Sequence, residues 1–439
     1  MKRTITKISI FCSLFLMVAG AAIAQSADTG EFKPHGKLWG YAFGDLAYKG
    51  SGDTVNGGRG GSNQYTKMAA NANLFQWRRV YLGYSYEISR KFVAEFLLAA
   101  EDDFNSGVIG QGAGDITTNG KFTPYLKLAN LRWRNIWKGT DLVIGQAPVT
   151  AFAQDAALKE YAVNTQTSEE VWGYRSIERT ITDIRRTPSF DMGVALHGTL
   201  DSKKNFGYDL QVGNGQSAKV ENDAYKWFYA DVWGKFFDKK LIVHLYQDYE
   251  KLHWGVFVKG LNGPWYNDRN MTKLFVAYTV PKFTVGMEAF QNTLMGDVIV
   301  AGKDGNTYYR NTKASAVSLF VKGRITPEKL GFFARFDNYD PTGNLSSIVG
   351  DANTKSFTVN TSQYDPTTKE TFATFGLDYT PMKNVHIMPN VWINTYESGV
   401  SATGTNSAGT VYSKMNSNIS GQKGTDAVYR LTFYYIYGK

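Results

Sequence analysis

Apolar and polar residues alternate one by one in segment after segment of this chain, the period of a strand with one face in an apolar medium and the other in a polar one. Over 189–200, Met192, Val194 and Leu196 share one face, and Asp191, Gly193, Ala195 and His197 share the other. Over 385–395, Val385, Ile387, Pro389, Val391 and Ile393 oppose His386, Met388, Asn390, Trp392 and Asn394. Over 426–437, Tyr429, Leu431, Phe433, Tyr435 and Tyr437 oppose Arg430, Thr432 and Tyr434. Read this way, the chain predicts sixteen strands, at about 35–48, 74–88, 91–101, 124–136, 140–147, 189–200, 205–213, 224–236, 240–250, 271–280, 283–291, 313–325, 330–338, 370–380, 385–395 and 426–437.

The connections alternate in length. Ser89-Arg90, Asp201–Lys204 and Pro381–Asn384 read as tight turns, whereas Lys49–Asn73, Asp102–Thr123, Pro148–Pro188, Lys251–Asn270, Tyr339–Lys369 and Tyr396–Thr425 are long and mostly rich in Gly, Ser, Asn and Thr. Short turns on one rim and long loops on the other describe a transmembrane antiparallel β-barrel, whose turns are periplasmic and loops extracellular. An even strand count places both ends of the barrel on the turn side. A soluble β-sandwich also alternates and is the rival for any one strand. The number and length of the strands, the loop asymmetry and the N-terminus weigh against it.

That N-terminus carries Met1, Lys2, Arg3 and Lys7, an apolar run from Ile8 to Ile23, and Ala22-Ile23-Ala24 before Gln25. This is the pattern of a secretory signal with an A-x-A cleavage site, and the run is too short to span a membrane as a helix. The expected organisation is a signal peptide at 1–24, a short periplasmic segment at 25–34 and a barrel at 35–439, in a bacterial outer membrane. No later apolar stretch approaches the length of a transmembrane helix, so entry into a membrane requires a closed barrel. The only cysteine, Cys12, goes with the signal, leaving no disulfide and no thiolate metal site.

Net charge is +9, and removal of Lys2, Arg3 and Lys7 lowers it to +6. The excess is dispersed rather than blocked, which argues against a nucleic-acid partner. Aromatic residues make up 15% of the chain, and those near strand ends fit interfacial girdles. Of five histidines, His197, His244 and His386 fall on strands, all on the face opposite the apolar one. No catalytic triad spacing, H-E-x-x-H or calcium loop accompanies them, and Gly110–Gly114 lacks the strand-to-helix setting of a phosphate cradle. The sequence therefore predicts no enzyme, no cofactor and no metal centre.

The informative charges are those alternation turns inward. Arg79, Arg132, Arg134, Lys273, Lys322, Arg324, Arg335 and Arg430 are assigned to the lumen wall, with Glu87, Glu95, Asp191, Asp209, Asp231, Asp248, Glu288, Asp337 and Asp378 interleaved. Basic rings favour anions and acidic rings cations, so a mixed wall leaves the sign open. The longest loop, about 148–188, is expected to fold into the lumen and narrow it, Arg175, Arg179, Arg185 and Arg186 facing Glu169, Glu170, Glu178 and Asp183.

Phe75-Gln76-Trp77-Arg78-Arg79-Val80-Tyr81-Leu82-Gly83, Gly145-Gln146-Ala147-Pro148, Ile177-Glu178-Arg179, Arg186, Asp191–Gly198 and Tyr208 through Gly213-Asn214-Gly215 occur in that order. Together they resemble the phosphate-selective porins of the O and P type, over roughly residues 75–215. The resemblance implies a sixteen-stranded homotrimeric porin whose third loop enters the pore, and in some relatives an arginine-lined path for phosphate. The acidic residues interleaved here depart from such a ladder. The expected function is passive diffusion of small hydrophilic solutes or anions across the outer membrane, with lipid around the barrel. A closed barrel serving as anchor or adhesin through its loops is the alternative.

Overall fold

The structure, a computed structural model, describes residues 31–52, 65, 70–101, 117–118, 121–152, 189–221, 223–251, 268–344, 347–348, 351–359, 368–398, 404–406, 411–412 and 425–438. The expected signal peptide, most of the 25–34 segment, Gly110–Gly114 and the body of the 148–188 loop lie outside the described residues.

Sixteen strands form the wall: β1 His35–Ser51, β2 Asn73–Glu87, β3 Phe92–Glu101, β4 Tyr125–Trp137, β5 Thr140–Pro148, β6 Phe190–Thr199, β7 Phe206–Gly213 and β8 Trp227–Phe236, then β9 Leu241–Glu250, β10 Arg269–Val280, β11 Phe283–Gly302, β12 Thr307–Thr326, β13 Leu330–Asp340, β14 Thr368–Met382, β15 Val385–Ser398 and β16 Thr425–Tyr437. Each pairs antiparallel with the next. β1 pairs antiparallel with β16 from Gly40↔Tyr437 to Ser51↔Ala427, which closes the sheet. Closure satisfies every strand edge within the wall, the condition for crossing hydrocarbon with strands. The all-β barrel predicted from alternation is the observed fold.

The two faces separate as the alternation requires. Leu82, Val194, Leu210, Leu319 and Phe375 are exposed on the outside, while Asp45, Asp209, Asp231 and Asp337 on the other face are buried. An apolar belt facing out and charge facing in is the reverse of a soluble protein, and it matches a hydrocarbon surround. On the outer face of the closing seam, the rings of Tyr437 and Phe433 lie over Gly40 and Gly44, positions with no room for a Cβ.

Inside, the same device recurs. Trp39, Trp233, Phe320 and Phe333 lie flat over the glycines directly opposite them on the neighbouring strand, Gly83, Gly207, Gly286 and Gly376. A Cβ at Gly376 would stand 2.6 Å from Phe333 Cζ and 2.7 Å from the Pro389 carbonyl. At Gly83 the three atoms nearest a Cβ all belong to the Trp39 ring, which is held against the wall by Nε1 donating to Ser85 Oγ at 2.9 Å. Gly83→Val is therefore expected to fold while swinging Trp39 into the bore. Single-channel conductance should drop relative to the parent protein, and an unchanged conductance would show that Trp39 stays on the wall.

Turns at one rim are tight. In the β6–β7 turn the Asp201 carboxylate accepts the backbone N–H groups of Asn205 at 2.7 Å and Phe206 at 2.9 Å, and these donors, Phe206 foremost, hold its carboxyl below the usual range. At the opposite rim β11 and β12 run longer than alternation predicts. After a break in register between Leu294 and Val298, both arms continue to a turn at 303–306. Thr354–Val359 adds to the β11 arm, Gly404–Asn406 pairs parallel with Phe357–Val359, and Val411–Tyr412 closes the set. Val298, Val300, Ile348 and Phe357 form its small core. Three connections read as loops thus share a sheet above the barrel.

Candidate functional site

Two departures from alternation decide what lines the lumen. Phe43 pairs with Arg79 and Gly44 with Trp77, so Arg78 is an extra residue on β2. Leu97 pairs with Leu128 and Leu98 with Leu126, so Lys127 is extra on β4. Each is a β-bulge, in which two residues oppose one and the phase of alternation shifts. Arg78 and Arg79 consequently both point inward, as do Lys127 and Leu128, all four being buried. The bulge on β4 leaves carbonyls without ladder partners, and the Gln146 side chain on β5 donates to those of Leu126 and Lys127, each at 3.0 Å. Gly145, at φ +122, allows the close approach of Ala129 and Asn130 beside it. The Gly145-Gln146 motif thus serves the bulge.

The two extra cations sit on two carboxylates. Asp45 on β1 accepts from Arg78 Nη1 at 3.0 Å, Arg430 Nη1 at 2.8 Å and Tyr65 Oη at 2.6 Å, and also from the Thr432 hydroxyl. Trp392 packs between the guanidiniums, 4.8 Å from Arg78 Cζ and 3.5 Å from Arg430 Cζ to its ring centre. Burying a charge requires such compensation on every side. Glu101 on β3 accepts from Arg79 Nη1 at 3.0 Å and Tyr125 Oη at 3.0 Å, and from Lys127 and Tyr81.

The other candidate arginines are paired too. Arg134 grips Glu87 through two bonds of 2.7 Å, and Arg132 lies 3.5 Å from Asp141. Arg335 holds Asp337 on its own strand through Nε at 2.8 Å and Nη2 at 2.6 Å. Arg79 and Arg430 complete the set described above. Arg79, Arg132, Arg134, Arg335 and Arg430 each lie within ion-pair distance of a carboxylate, so these side chains are not a ladder of bare guanidiniums. Arg175, Glu178, Arg179, Asp183, Arg185 and Arg186 lie outside the described residues.

The charges segregate around the circumference. Lys49, Arg78, Arg79, Lys127, Arg132, Arg134 and Arg430 belong to the arc from β16 through β4. One strand further on, β6 to β9 carry Asp191, Asp209, Asp231, Asp248 and Glu250, with Lys235 among them, all buried. There His197 Nδ1 meets Asp209 at 2.6 Å and His244 Nδ1 meets Asp231 at 2.8 Å. Asp191 accepts the Gly215 N–H at 2.7 Å and the Tyr229 hydroxyl at 3.0 Å, so the Asp191 and Gly213–Gly215 motifs meet in space. Because Asp45, Glu87, Glu95, Glu101 and Asp426 lie in the first stretch and Lys235 in the second, the two differ in charge balance rather than in outright sign, and the uneven field they set around the bore selects neither sign outright.

The first residues after β5 turn into the lumen. Val149 and Ala151 belong to one buried cluster with Trp227, Tyr246, Met271, Phe290 and Tyr339, Thr150–Phe152 packs against β7, β8 and β9, and Lys273 on β10 donates to the Ala151 carbonyl. The start of the long loop is thus inside the barrel. No group of His, Cys, Asp and Glu among the described residues is arranged to hold a metal ion.

No known family model matches the chain, and no curated protein sequence does. The outer membrane channel DcaP of Acinetobacter baumannii is similar in structure, at 14% identity and a TM-score of 0.54 over 94% of this chain and 99% of that one. In-vitro folded OmpT, an outer membrane protein of Vibrio cholerae, gives 10% identity and 0.51 over 94% and 100%. Its loop L8 deletion mutant gives 10% and 0.50 over 92% and 99%. Likeness at this identity establishes the barrel fold and nothing finer.

Proposed function

We propose that this chain is an outer-membrane channel through which small hydrophilic solutes diffuse passively. The observation that carries the reading is the closed sixteen-stranded wall, apolar outside and charged inside. A barrel of this size leaves a lumen wider than its own side chains fill. The loop of about 148–188 supplies the constriction in this reading, because its first residues already lie inside the barrel. Arg175, Arg179, Arg185 and Arg186 then face Glu178 and Asp183 at the narrowest level. Export by the 1–24 signal, short turns facing the periplasm, lipid around the apolar belt and a homotrimeric assembly complete it. The reading assigns the chain no catalytic step and no cofactor.

Anion passage, with phosphate as one case, is the finer form of the proposal. The basic arc supports it, whereas the pairing of each described candidate arginine favours weak selectivity. Single-channel recording on the refolded chain in a planar bilayer, with reversal potential in a salt gradient, tests the whole. Stable open conductance is the expected result, and Ala at the four loop arginines should move the reversal potential toward cations. No conductance from a folded barrel would favour the anchor or adhesin reading, which the sheet built from three loops at the far rim supports.

A further inference from the structure

We propose that the short-turn mouth of the lumen holds a binding station for organic anions with an apolar, ring-bearing body, an aromatic carboxylate being the simplest. The proposal rests on the channel reading and adds the class of solute. A cavity of about 410 Å³ opens there, lined among others by Lys282, Lys322, Arg324, Asp378, His386 and Tyr434. Its volume lies within the range of small-molecule sites. Three cations share it with one carboxylate. Asp378 accepts from His386 Nδ1 at 2.8 Å and lies 3.9 Å from Arg324 Nη1, at the outer limit of an ion pair. By formal charge the side chains that line the cavity are net positive.

What lies next inward is apolar. Along β12 the lumen-facing residues run Arg324, Lys322, Phe320 from the mouth, and along β15 they run His386, Met388. Phe320, Phe333, Phe275 and Met388 form one buried cluster, with Tyr434 packed against it. Tyr434 also stacks with His386, ring centres 5.2 Å apart and planes 27° apart, and its register partner on β15 is His386 itself. Charge at the rim and rings one step deeper match a solute that carries both. Its carboxylate meets the cations while its body contacts Tyr434 and Met388, the members of that cluster that line the cavity, and sheds water. A hydrated inorganic anion or acetate engages the first element alone.

Equilibrium binding of benzoate, acetate and inorganic phosphate to the refolded full chain in detergent, read by titration calorimetry, tests this without any current. Benzoate should bind at least tenfold more tightly than acetate or phosphate. The K322Q/R324Q variant, polar at a half-exposed rim and checked for the folded band on unheated gels, should lose benzoate at least tenfold. Met388→Ala should weaken benzoate without changing acetate. Equal binding of benzoate and acetate, or undiminished benzoate binding by K322Q/R324Q, overturns the station. A barrel that binds benzoate but passes no current keeps the station and removes the channel. A conducting barrel whose current benzoate on the turn side leaves unaltered, and which binds none, keeps the channel and removes the station.

Discussion

Replacement of Asp45 by Ala is expected to remove most of the folded barrel. The carboxylate is fully buried and answers two buried guanidiniums, those of Arg78 and Arg430. Its loss leaves both charges enclosed against Trp392, and breaking a buried pair by deleting one partner costs on the order of 3–5 kcal/mol. The contacts also span the closing seam, since Asp45 is on β1 and Arg430 and Thr432 are on β16. Urea titration in micelles, followed by the mobility difference between heated and unheated samples, should show a markedly lower midpoint for Asp45→Ala. Asp45→Asn, which keeps the shape and some acceptors, should fall between. Combining Asp45→Leu with Arg78→Met should recover part of the loss, because an apolar replacement of both partners leaves one charge fewer to enclose. An unchanged midpoint for Asp45→Ala would mean that the seam does not depend on this cluster.

The second large effect concerns selectivity. Glu101→Gln should move the reversal potential toward anions, because Glu101 is the shared acceptor of Arg79 and Lys127. Deleting one unit of charge changes the energy of an ion passing roughly 6 Å away through water by about 0.7 kcal/mol, of opposite sign for an anion and a cation, which is about a tenfold change in the permeability ratio. With the amide oxygen in the place of Oε1 the Tyr81 hydroxyl can still donate to it, and the NH2 in the place of Oε2 can donate to the Tyr125 hydroxyl, so the fold should survive. A reversal potential identical to that of the parent would place the ion path away from the β16–β4 arc.

The architecture was legible because a membrane barrel writes its two faces into every strand. Met192, Val194 and Leu196 needed only the period of two to be placed outside. The ends of β11 and β12 were not, since beyond the membrane the arms pair with other loops and no longer alternate between lipid and lumen. Arg78 and Lys127 were missed for a sharper reason. Alternation counted outward from Arg79 or Arg132 assigns both to lipid, and a single inserted residue reverses the phase. A charged residue at a position that should meet hydrocarbon was the available signal. Asp45 was within reach, as it shares the face of Phe43 and Ala47 opposite Leu46 and Tyr48. Pairing was beyond reach, because neighbours in the wall such as Asp45 and Arg430 are 385 positions apart. Of the predicted constriction, the described part is its entry, where Val149–Phe152 turns inside the barrel and the Ala151 carbonyl accepts from Lys273.

The rings bedded on glycines carry a consequence for how such a wall can change. Trp39, Trp233, Phe320 and Phe333 add little reach into the bore, because each lies in the space its opposite glycine leaves. Trp39 is tied to Ser85, Trp233 lies beside Lys235 and His244, and Phe320 and Phe333 share an apolar cluster, whereas the carboxylates of the wall answer its cations. A side chain gained at one of these glycines acts like a shim behind a door leaf, altering clearance without touching a charge. Conversely, an exchange at Glu101 alters sign and leaves clearance alone. Size and charge are thus written in different residues, and a lineage or an engineer can turn one dial while the other stays where it was.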